Sequence, residues 1–219
     1  ELMLRFGEFV HSLGGRYITA EDIGMVTADM DLVRTVTPYV TGISEEIGGA
    51  GNPSPITAYG VFMGMKAAAH HAFGSNILED KVIYVQGIGN VGEALVESLI
   101  NEGAKVYISD INQERLEEVR DKYSVTIYEG DNIYAEEMDI YAPCALGATI
   151  NDQTLSQLKA KVIAGAANNQ LAEENKHGLL LKEKGIVYAP DFLINAGGII
   201  NVYAELENYD KKEIIRKTE

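Results

Sequence analysis

Six consecutive residues, Gly87-Ile88-Gly89-Asn90-Val91-Gly92, have the G-x-G-x-x-G spacing that can hold a pyrophosphate group. The first glycine of such a motif permits a tight turn and the second lets the backbone approach the phosphates. The third lets a helix pack closely on the preceding strand. The positive end of the helix dipole would then face the phosphate charge. The pattern predicts that these six residues bind a dinucleotide cofactor.

Asp110 follows this motif at the spacing of about 20 residues that is typical of dinucleotide sites. Its carboxylate would accept hydrogen bonds from the ribose hydroxyls and would repel a 2′-phosphate, which favours NAD over NADP. The alternative interpretation is purely structural: a glycine turn that joins a strand to a helix, and an aspartate that caps the next helix. Because the predicted strand, the glycine turn and the acidic residue occur in the expected order, we predict an NAD site.

The elements around this motif alternate between strand and helix. A continuous apolar run at Val82–Gln86 predicts a strand buried on both faces, and Lys105–Ser109 predicts the next one. Between them residues 91–101 are helical in pattern, and Asn112 is expected to cap the following helix. Further strands are predicted at residues 125–128, 139–142, 162–166 and 186–189. Six strands interleaved with helices predict an α/β fold with a doubly wound, Rossmann-type parallel sheet.

The first part of the chain has a different pattern. Apolar residues at helical spacing predict a helix over residues 2–13, and residues 16–20 predict a short strand. Residues 41–55 are rich in Gly, Ser, Asn and Pro, which is typical of a loop and a hinge. Helices are also predicted over residues 57–72 and 196–209.

Composition and charge argue against several classes of partner. The 219 residues are 46% hydrophobic and 23% charged, which is ordinary for a globular protein, and the formal net charge is −15. Such a charge disfavours nucleic acid or an anionic membrane as the main partner. The single cysteine, Cys144, allows no internal disulfide and fits a reducing compartment. With no apolar stretch long enough to span a bilayer and no signal-like start, we expect a cytoplasmic protein.

Several motifs along the chain are similar to those of the Glu/Leu/Phe/Val amino-acid dehydrogenase family, and especially to its leucine-acting members. They occur in the family's order over almost the whole chain: YITAED at 17–22, GNPSP at 51–55, TAYGV at 57–61, APCALG at 142–147, ANNQL at 167–171 and INAGG at 194–198. The resemblance implies reversible, NAD-dependent oxidative deamination of a branched-chain L-amino acid (leucine, valine or isoleucine) to the 2-oxo acid and ammonia. The alternatives are a phenylalanine or valine dehydrogenase and, in a different class, a non-catalytic NAD-binding module.

The resemblance also implies roles for polar residues near the cofactor. Thr57 matches a residue that binds the nicotinamide carboxamide, Asn168 and Asn169 match a pair near the nicotinamide ribose, and Asn195 matches one beside the ring. Ala145 would lie near the adenosine. The alternative for each asparagine is an ordinary loop or cap residue, but all follow predicted strands, where ligands of such sheets bind.

For the substrate, Asp22 matches the family's catalytic acid/base aspartate, although from the residues alone it would be a turn residue. Ala20, Ile199 and Val202 match positions that line the pocket for the substrate's side chain. One small and two aliphatic residues suit a branched apolar side chain and offer no partner to a carboxylate, which disfavours glutamate as substrate.

The sequence departs from the family in lacking its Gly-rich catalytic lysine motif and the C-terminal helices that close the hinge. It also begins with Glu. We therefore expect a piece of a longer protein, in which residues 1–50 are a remnant of the substrate domain with the hinge and residues 51–219 form the NAD-binding domain. This piece alone should be inactive, and the parent protein should be a homo-oligomer. No metal site is expected, and Cys144 is interpreted as a packing residue rather than a nucleophile.

Overall fold

A computed structural model describes residues 1–22, 24–207 and 209–219. The chain forms two compact units, of which one comprises Glu1–Ile56 with Gly197–Glu219 and the other comprises Thr57–Ala196. The sequence-based division at residue 51 instead groups the C-terminal segment with the cofactor domain. The assignment of a substrate domain and a cofactor domain within those limits remains a prediction.

The second unit is built on a six-stranded sheet in which all neighbouring strands are parallel. Its strands are β1 (Val82–Gln86), β2 (Lys105–Ser109), β3 (Thr126–Ile127), β4 (Ile140–Pro143), β5 (Val162–Ile163) and β6 (Val187–Tyr188). Their order is β3-β2-β1-β4-β5-β6. From β1 the chain proceeds through β2 to β3 at one edge, and from β4 it proceeds through β5 to β6 at the other edge. This is the doubly wound topology predicted from the sequence. The point where the order reverses lies between the carboxyl ends of β1 and β4.

Helices cover both faces of this sheet. They are α3 (Ser54–Phe73), α4 (Asn90–Asn101), α5 (Gln113–Tyr123), α6 (Asp152–Gln157), α7 (Glu174–Glu183) and the short α8 (Asp191–Ile194). Alternate residues of β1 enter different cores, since Ile83 and Val85 pack in a cluster that includes Leu95 whereas Tyr84 packs in one that includes Leu155. Burial on both faces explains why β1 is a continuous apolar run.

Local capping fixes where two of these helices begin. The side chain of Asn112 accepts a hydrogen bond from the backbone N–H of Arg115 at 3.1 Å, so the predicted cap of α5 is confirmed. At α6, the side chain of Asn151 accepts from the backbone of Thr154, whose hydroxyl bonds back to the Asn151 N–H. These bonds satisfy N–H groups that have no partner inside the helix.

The first unit contains α1 (Leu2–Ser12), α2 (Thr27–Arg34), α9 (Gly197–Glu207) and α10 (Lys211–Thr218). α9 corresponds to the helix predicted over residues 196–209; residue 208 lies outside the described residues. Its small core contains Val10, Met30, Val33, Val40 and Ile43. The strand predicted over residues 16–20 is reduced to one bridge, between Thr19 and Val40. Within the described residues, no helix combines the length and apolar character needed to cross a bilayer.

Candidate functional site

The three glycines of the G-x-G-x-x-G motif have different surroundings at the end of β1. Gly87 has a φ of +101°, and a Cβ there would lie 2.6 Å from the backbone nitrogen of Ala145. A Cβ at Gly92 would collide with the Gly87 carbonyl oxygen, whereas no described atom lies within 4 Å of a Cβ at Gly89. The first and third glycines are therefore required by packing. The second faces open space, as a site for a bound pyrophosphate requires.

Gly89 is also the residue that precedes α4, and among the described residues no side chain caps this helix. The backbone N–H groups of Asn90 and Val91, in its first turn, are available to an anionic ligand. Ile88 contributes through its backbone alone, because its side chain is fully buried in the core. The predicted phosphate-binding residues thus form one turn at the reversal point of the sheet.

Asp110 follows β2 and lies directly against this turn. Its Oδ2 accepts a hydrogen bond from the Ile88 N–H at 2.6 Å, and its Oδ1 accepts one from the Asn112 N–H at 2.9 Å. A carboxylate oxygen can accept more than one hydrogen bond, so both oxygens can also receive a ribose hydroxyl. The structure therefore places the predicted ribose-binding carboxylate beside the predicted pyrophosphate site.

A group of charged residues beside the same turn was not predicted from the sequence. The Nε of Arg115 donates to the carbonyl of Ile88 at 3.2 Å, and its guanidinium forms an ion pair with Glu93. The Nζ of Lys122 lies 2.9 Å from the other Glu93 oxygen. Burial raises the pKa of the Glu93 carboxyl, but the hydrogen bond from Lys122 and the charge of Arg115 outweigh it and leave the pKa below its usual range.

The asparagines predicted near the nicotinamide lie at the carboxyl-end edge of the sheet. Asn195, at the end of α8, donates through Nδ2 to Asn168 Oδ1 at 2.6 Å and to the carbonyl of Ala166 at 3.2 Å. Asn169 has a left-handed φ of +52°, and its carbonyl accepts from the Ala148 N–H at 2.7 Å. Beside these residues is an open cleft of about 310 Å³, lined by Asn168, Asn169, Leu171, Glu174, Tyr188, Asp191 and Phe192. The structure thus brings Asn168 and Asn195 together.

The remaining predicted cofactor residues lie at the starts of loops and helices. Ala145 is exposed and lies against Gly87, immediately after β4. Thr57 lies half-buried in the first turn of α3. Cys144 is half-buried as a residue, and burial raises the pKa of its thiol to about 11. A thiol that is protonated at neutral pH is a poor nucleophile, which supports the packing role.

The predicted catalytic and substrate residues belong to the first unit. Asp22 is exposed, and its carbonyl accepts from the Met25 N–H at 3.0 Å. Val202 is buried, Ala20 is half-buried and Ile199 is 67% exposed. A Cβ at Gly42 would lie 3.5 Å from the Glu21 nitrogen and 3.9 Å from Val202, so the segment that contains Ala20 and Asp22 approaches α9. Of the three residues predicted to line the pocket for the substrate's side chain, Ile199 exposes the most apolar surface.

One group of possible metal ligands occurs among the described residues: Asp152, Glu173 and His177. The Nδ1 of His177 accepts from the Glu173 N–H at 2.9 Å, and its Nε2 lies 3.3 Å from Asp152. The ammonium of Lys176 lies 2.6 Å from Asp152 Oδ2 and 3.3 Å from Glu173. These contacts already employ both ring nitrogens and supply a cation, so the group is explained as a network at the start of α7.

Comparisons with known proteins agree with these features. The model of the Glutamate/Leucine/Phenylalanine/Valine dehydrogenase family matches residues 48–113 and 107–218. A leucine dehydrogenase from Geobacillus stearothermophilus is 56% identical over 220 residues, and a valine dehydrogenase from Streptomyces albus is 46% identical over 213. These matches cover 100% and 96% of this chain, and 60% and 58% of the respective relatives.

Among solved structures, L-tryptophan dehydrogenase from Nostoc punctiforme is similar with a TM-score of 0.81 at 40% identity. The match covers 99% of this chain and 62% of that structure. The chain therefore spans about three fifths of the length of the relatives that it matches.

Proposed function

This chain belongs to the Glutamate/Leucine/Phenylalanine/Valine dehydrogenase family, and from that premise we propose that it forms the NAD-binding part of a branched-chain L-amino-acid dehydrogenase. The reaction would convert leucine, valine or isoleucine to the 2-oxo acid and ammonia. The observation that carries the proposal is the open turn at Gly89 beside the Asp110 carboxylate. Bound NAD would supply the hydride acceptor, and the residues of the chain would bind and orient it.

The residues present fit this cofactor. Gly89 leaves room for the pyrophosphate at the start of α4, whose N–H groups would bind the phosphate oxygens. Asp110 would hold the ribose hydroxyls and disfavour a 2′-phosphate. Asn168 and Asn195, which already bond to each other, would orient the nicotinamide ribose and ring. Thr57 would bind the carboxamide and Ala145 would leave space for the adenosine.

The substrate preference rests on the first unit. Ala20, Ile199 and Val202 would surround the substrate's side chain, and none of them can pair with a carboxylate, so an apolar amino acid is favoured over glutamate. The relatives that are 56% and 46% identical to this chain are named for leucine and for valine, both apolar amino acids, which supports this preference. Asp22 would accept and return protons at the substrate's amino group while the imine forms and is hydrolysed.

The test is an assay of NAD⁺ reduction by the longest natural protein that contains this chain. Leucine, valine, isoleucine, phenylalanine and glutamate would be compared at equal concentration. We expect the branched-chain substrates to give the highest kcat/KM. Greater activity with glutamate than with leucine would contradict the substrate assignment, and NAD⁺ binding without turnover of any amino acid would favour the non-catalytic module.

A matched variant separates binding from chemistry in the same assay. Asp22→Asn keeps the size of the side chain but cannot exchange a proton, so kcat should fall by at least about 100-fold. The Kd for NAD⁺ should stay within about 2-fold, because Asp22 is not among the residues proposed to bind the cofactor. An unchanged kcat would remove Asp22 from the mechanism.

We also propose that the parent protein is a homo-oligomer. Light scattering on the same preparation tests this proposal.

A further inference from the structure

Family membership assigns no role to the charged group beside the glycine turn, which consists of Glu93, Arg115 and Lys122. We propose that Glu93 sets the cofactor preference by holding Arg115, whose guanidinium would otherwise bind the 2′-phosphate of NADP. This proposal rests on the proposed NAD site and adds a specificity-determining residue to it. Glu93 is a positioning residue in this scheme, since it acts on the cofactor through Arg115.

Arg115 lies against the residue that Asp110 also contacts. Asp110 and Arg115 hold opposite ends of the same residue: Asp110 accepts from the Ile88 N–H at 2.6 Å, and Arg115 donates to the Ile88 carbonyl at 3.2 Å. The guanidinium and the carboxylate that would bind the ribose therefore both contact the backbone of Ile88. A planar guanidinium in this position is suited to a phosphate on the ribose, because it can donate two parallel hydrogen bonds.

Arg115 is already engaged by two carboxylates. Glu93 pairs with its Nη2 and Glu118 lies 2.9 Å from its Nη1. The Glu93 side chain is only 17% exposed, whereas that of Glu118 is 58% exposed. Charge interactions are stronger where less water surrounds them, and exposed pairs contribute little. Glu93 is therefore the less solvated of the two carboxylates that hold the guanidinium.

A phosphate on the ribose would meet several charged side chains. Arg115 and Lys122 are balanced by Glu93 and Glu118, and Asp110 leaves this edge of the site net negative. The 2′-phosphate of NADP carries additional negative charge and would be repelled. Because the pKa of Glu93 is lowered, its counter-charge is present throughout the neutral range. Removing that single charge would leave two cations against Glu118 and Asp110, with one guanidinium edge free for the phosphate.

The test measures Kd values for NAD⁺ and NADP⁺ by calorimetry at one low ionic strength, with wild type, Glu93→Gln, Arg115→Gln and the double variant. Glu93→Gln should tighten NADP⁺ binding about 10-fold and change NAD⁺ binding by less than about 2-fold. The double variant should lose this gain, since the effect requires Arg115. Glu93→Ala provides a second test should the glutamine variant not fold.

Glu118→Gln is the matched control, because it removes the same charge from the same arginine at an exposed position. It should improve NADP⁺ binding by less than about 3-fold. If Glu93→Gln binds NAD⁺ normally but its NADP⁺ affinity is unchanged, or if the double variant keeps the gain, the proposal is wrong while the NAD site stands. If wild type binds no NAD⁺, the proposed function itself fails.

Discussion

Glu205 connects α9 to a loop of the first unit through two backbone groups. Its Oε1 accepts hydrogen bonds from the N–H of Gly42 at 2.7 Å and of Ala50 at 2.8 Å. Gly42 is buried and Ala50 is half-buried. Glu205→Ala removes the acceptor for both groups, whereas Glu205→Gln keeps an acceptor oxygen in the same place.

The cost of the alanine variant follows from these contacts. A buried N–H without a partner costs about 1–3 kcal/mol, and Ala50 can recover part of its bond from water. We expect Glu205→Ala to lower the free energy of unfolding by about 2–4 kcal/mol. At pH 7, Glu205→Gln should change the free energy of unfolding by less than about 1 kcal/mol. The variant loses charge-assisted hydrogen bonds but also removes the cost of burying a charge.

The assay is urea unfolding followed by circular dichroism, with Glu207→Ala as the control. Glu207 lies in the same helix but is exposed and bonds only to the Tyr203 hydroxyl among the contacts described for it. Glu207→Ala should lower the free energy of unfolding by less than about 0.5 kcal/mol. A loss below about 1 kcal/mol for Glu205→Ala, or an equal loss for the glutamine variant, would refute the role of the two N–H groups.

The pH dependence gives an independent check. Burial raises the pKa of Glu205, and the hydrogen bonds from Ala50 and Gly42 offset only part of this. The folded chain therefore binds this proton more tightly than the unfolded chain does. The stabilisation from this group is present at acid pH and is lost as pH rises through the raised pKa. Glu205→Gln should thus gain stability relative to wild type as pH rises above the usual pKa of a glutamate. A loss of stability of Glu205→Gln relative to wild type as pH rises would contradict the assignment.

Further predictions concern the cofactor turn. Asp110→Ser should weaken NAD⁺ far more than NADP⁺ in calorimetry, and an equal loss for both would contradict its ribose role. Gly89→Ala should leave the unfolding free energy within about 0.5 kcal/mol but raise the Kd for NAD⁺ at least about 10-fold, since its Cβ would enter only the open phosphate space. Gly87→Ala should instead cost at least about 2 kcal/mol in urea unfolding, because of its positive φ and its contact with Ala145. With its thiol pKa at about 11, Cys144 should react with an aromatic disulfide reagent at pH 8 at least about 10-fold more slowly in the folded protein than in urea.

The sequence predicted the centre of the sheet better than its margins. β1 and β2 have the predicted bounds, because a strand buried on both faces is apolar along its whole length. The strand predicted over residues 162–166 ends at Ile163. Beyond it, the buried side chain of Gln170 donates to the carbonyls of Gly165 and Ala167, which therefore bond to an amide rather than to a neighbouring strand. The apolar pattern of the sequence does not predict these bonds, although Gln170 lies only three and five residues from the two carbonyls.

In the candidate site, a contact that follows from the strand topology could be predicted, whereas a contact between two separate helices could not. The contact between Asp110 and the glycine turn follows from the predicted topology, since the carboxyl ends of adjacent parallel strands meet at one edge. The ion pair of Glu93 with Arg115 does not, because it joins the first turns of two different helices, 22 residues apart. α2 was also missed, since its eight residues are too few for a helical pattern to be distinctive and its burial depends on α1.

The division of the chain has a consequence for the order in which it folds. Thr57–Ala196 is continuous, whereas the other unit is assembled from both ends of the chain. Closing a loop of about 140 residues costs entropy, but a folded second unit removes most of that cost, because Ile194 near its end packs against Gly64 near its beginning. The sheet can therefore fold before α9 and α10, which follow it in the chain, pack with the residues that precede it.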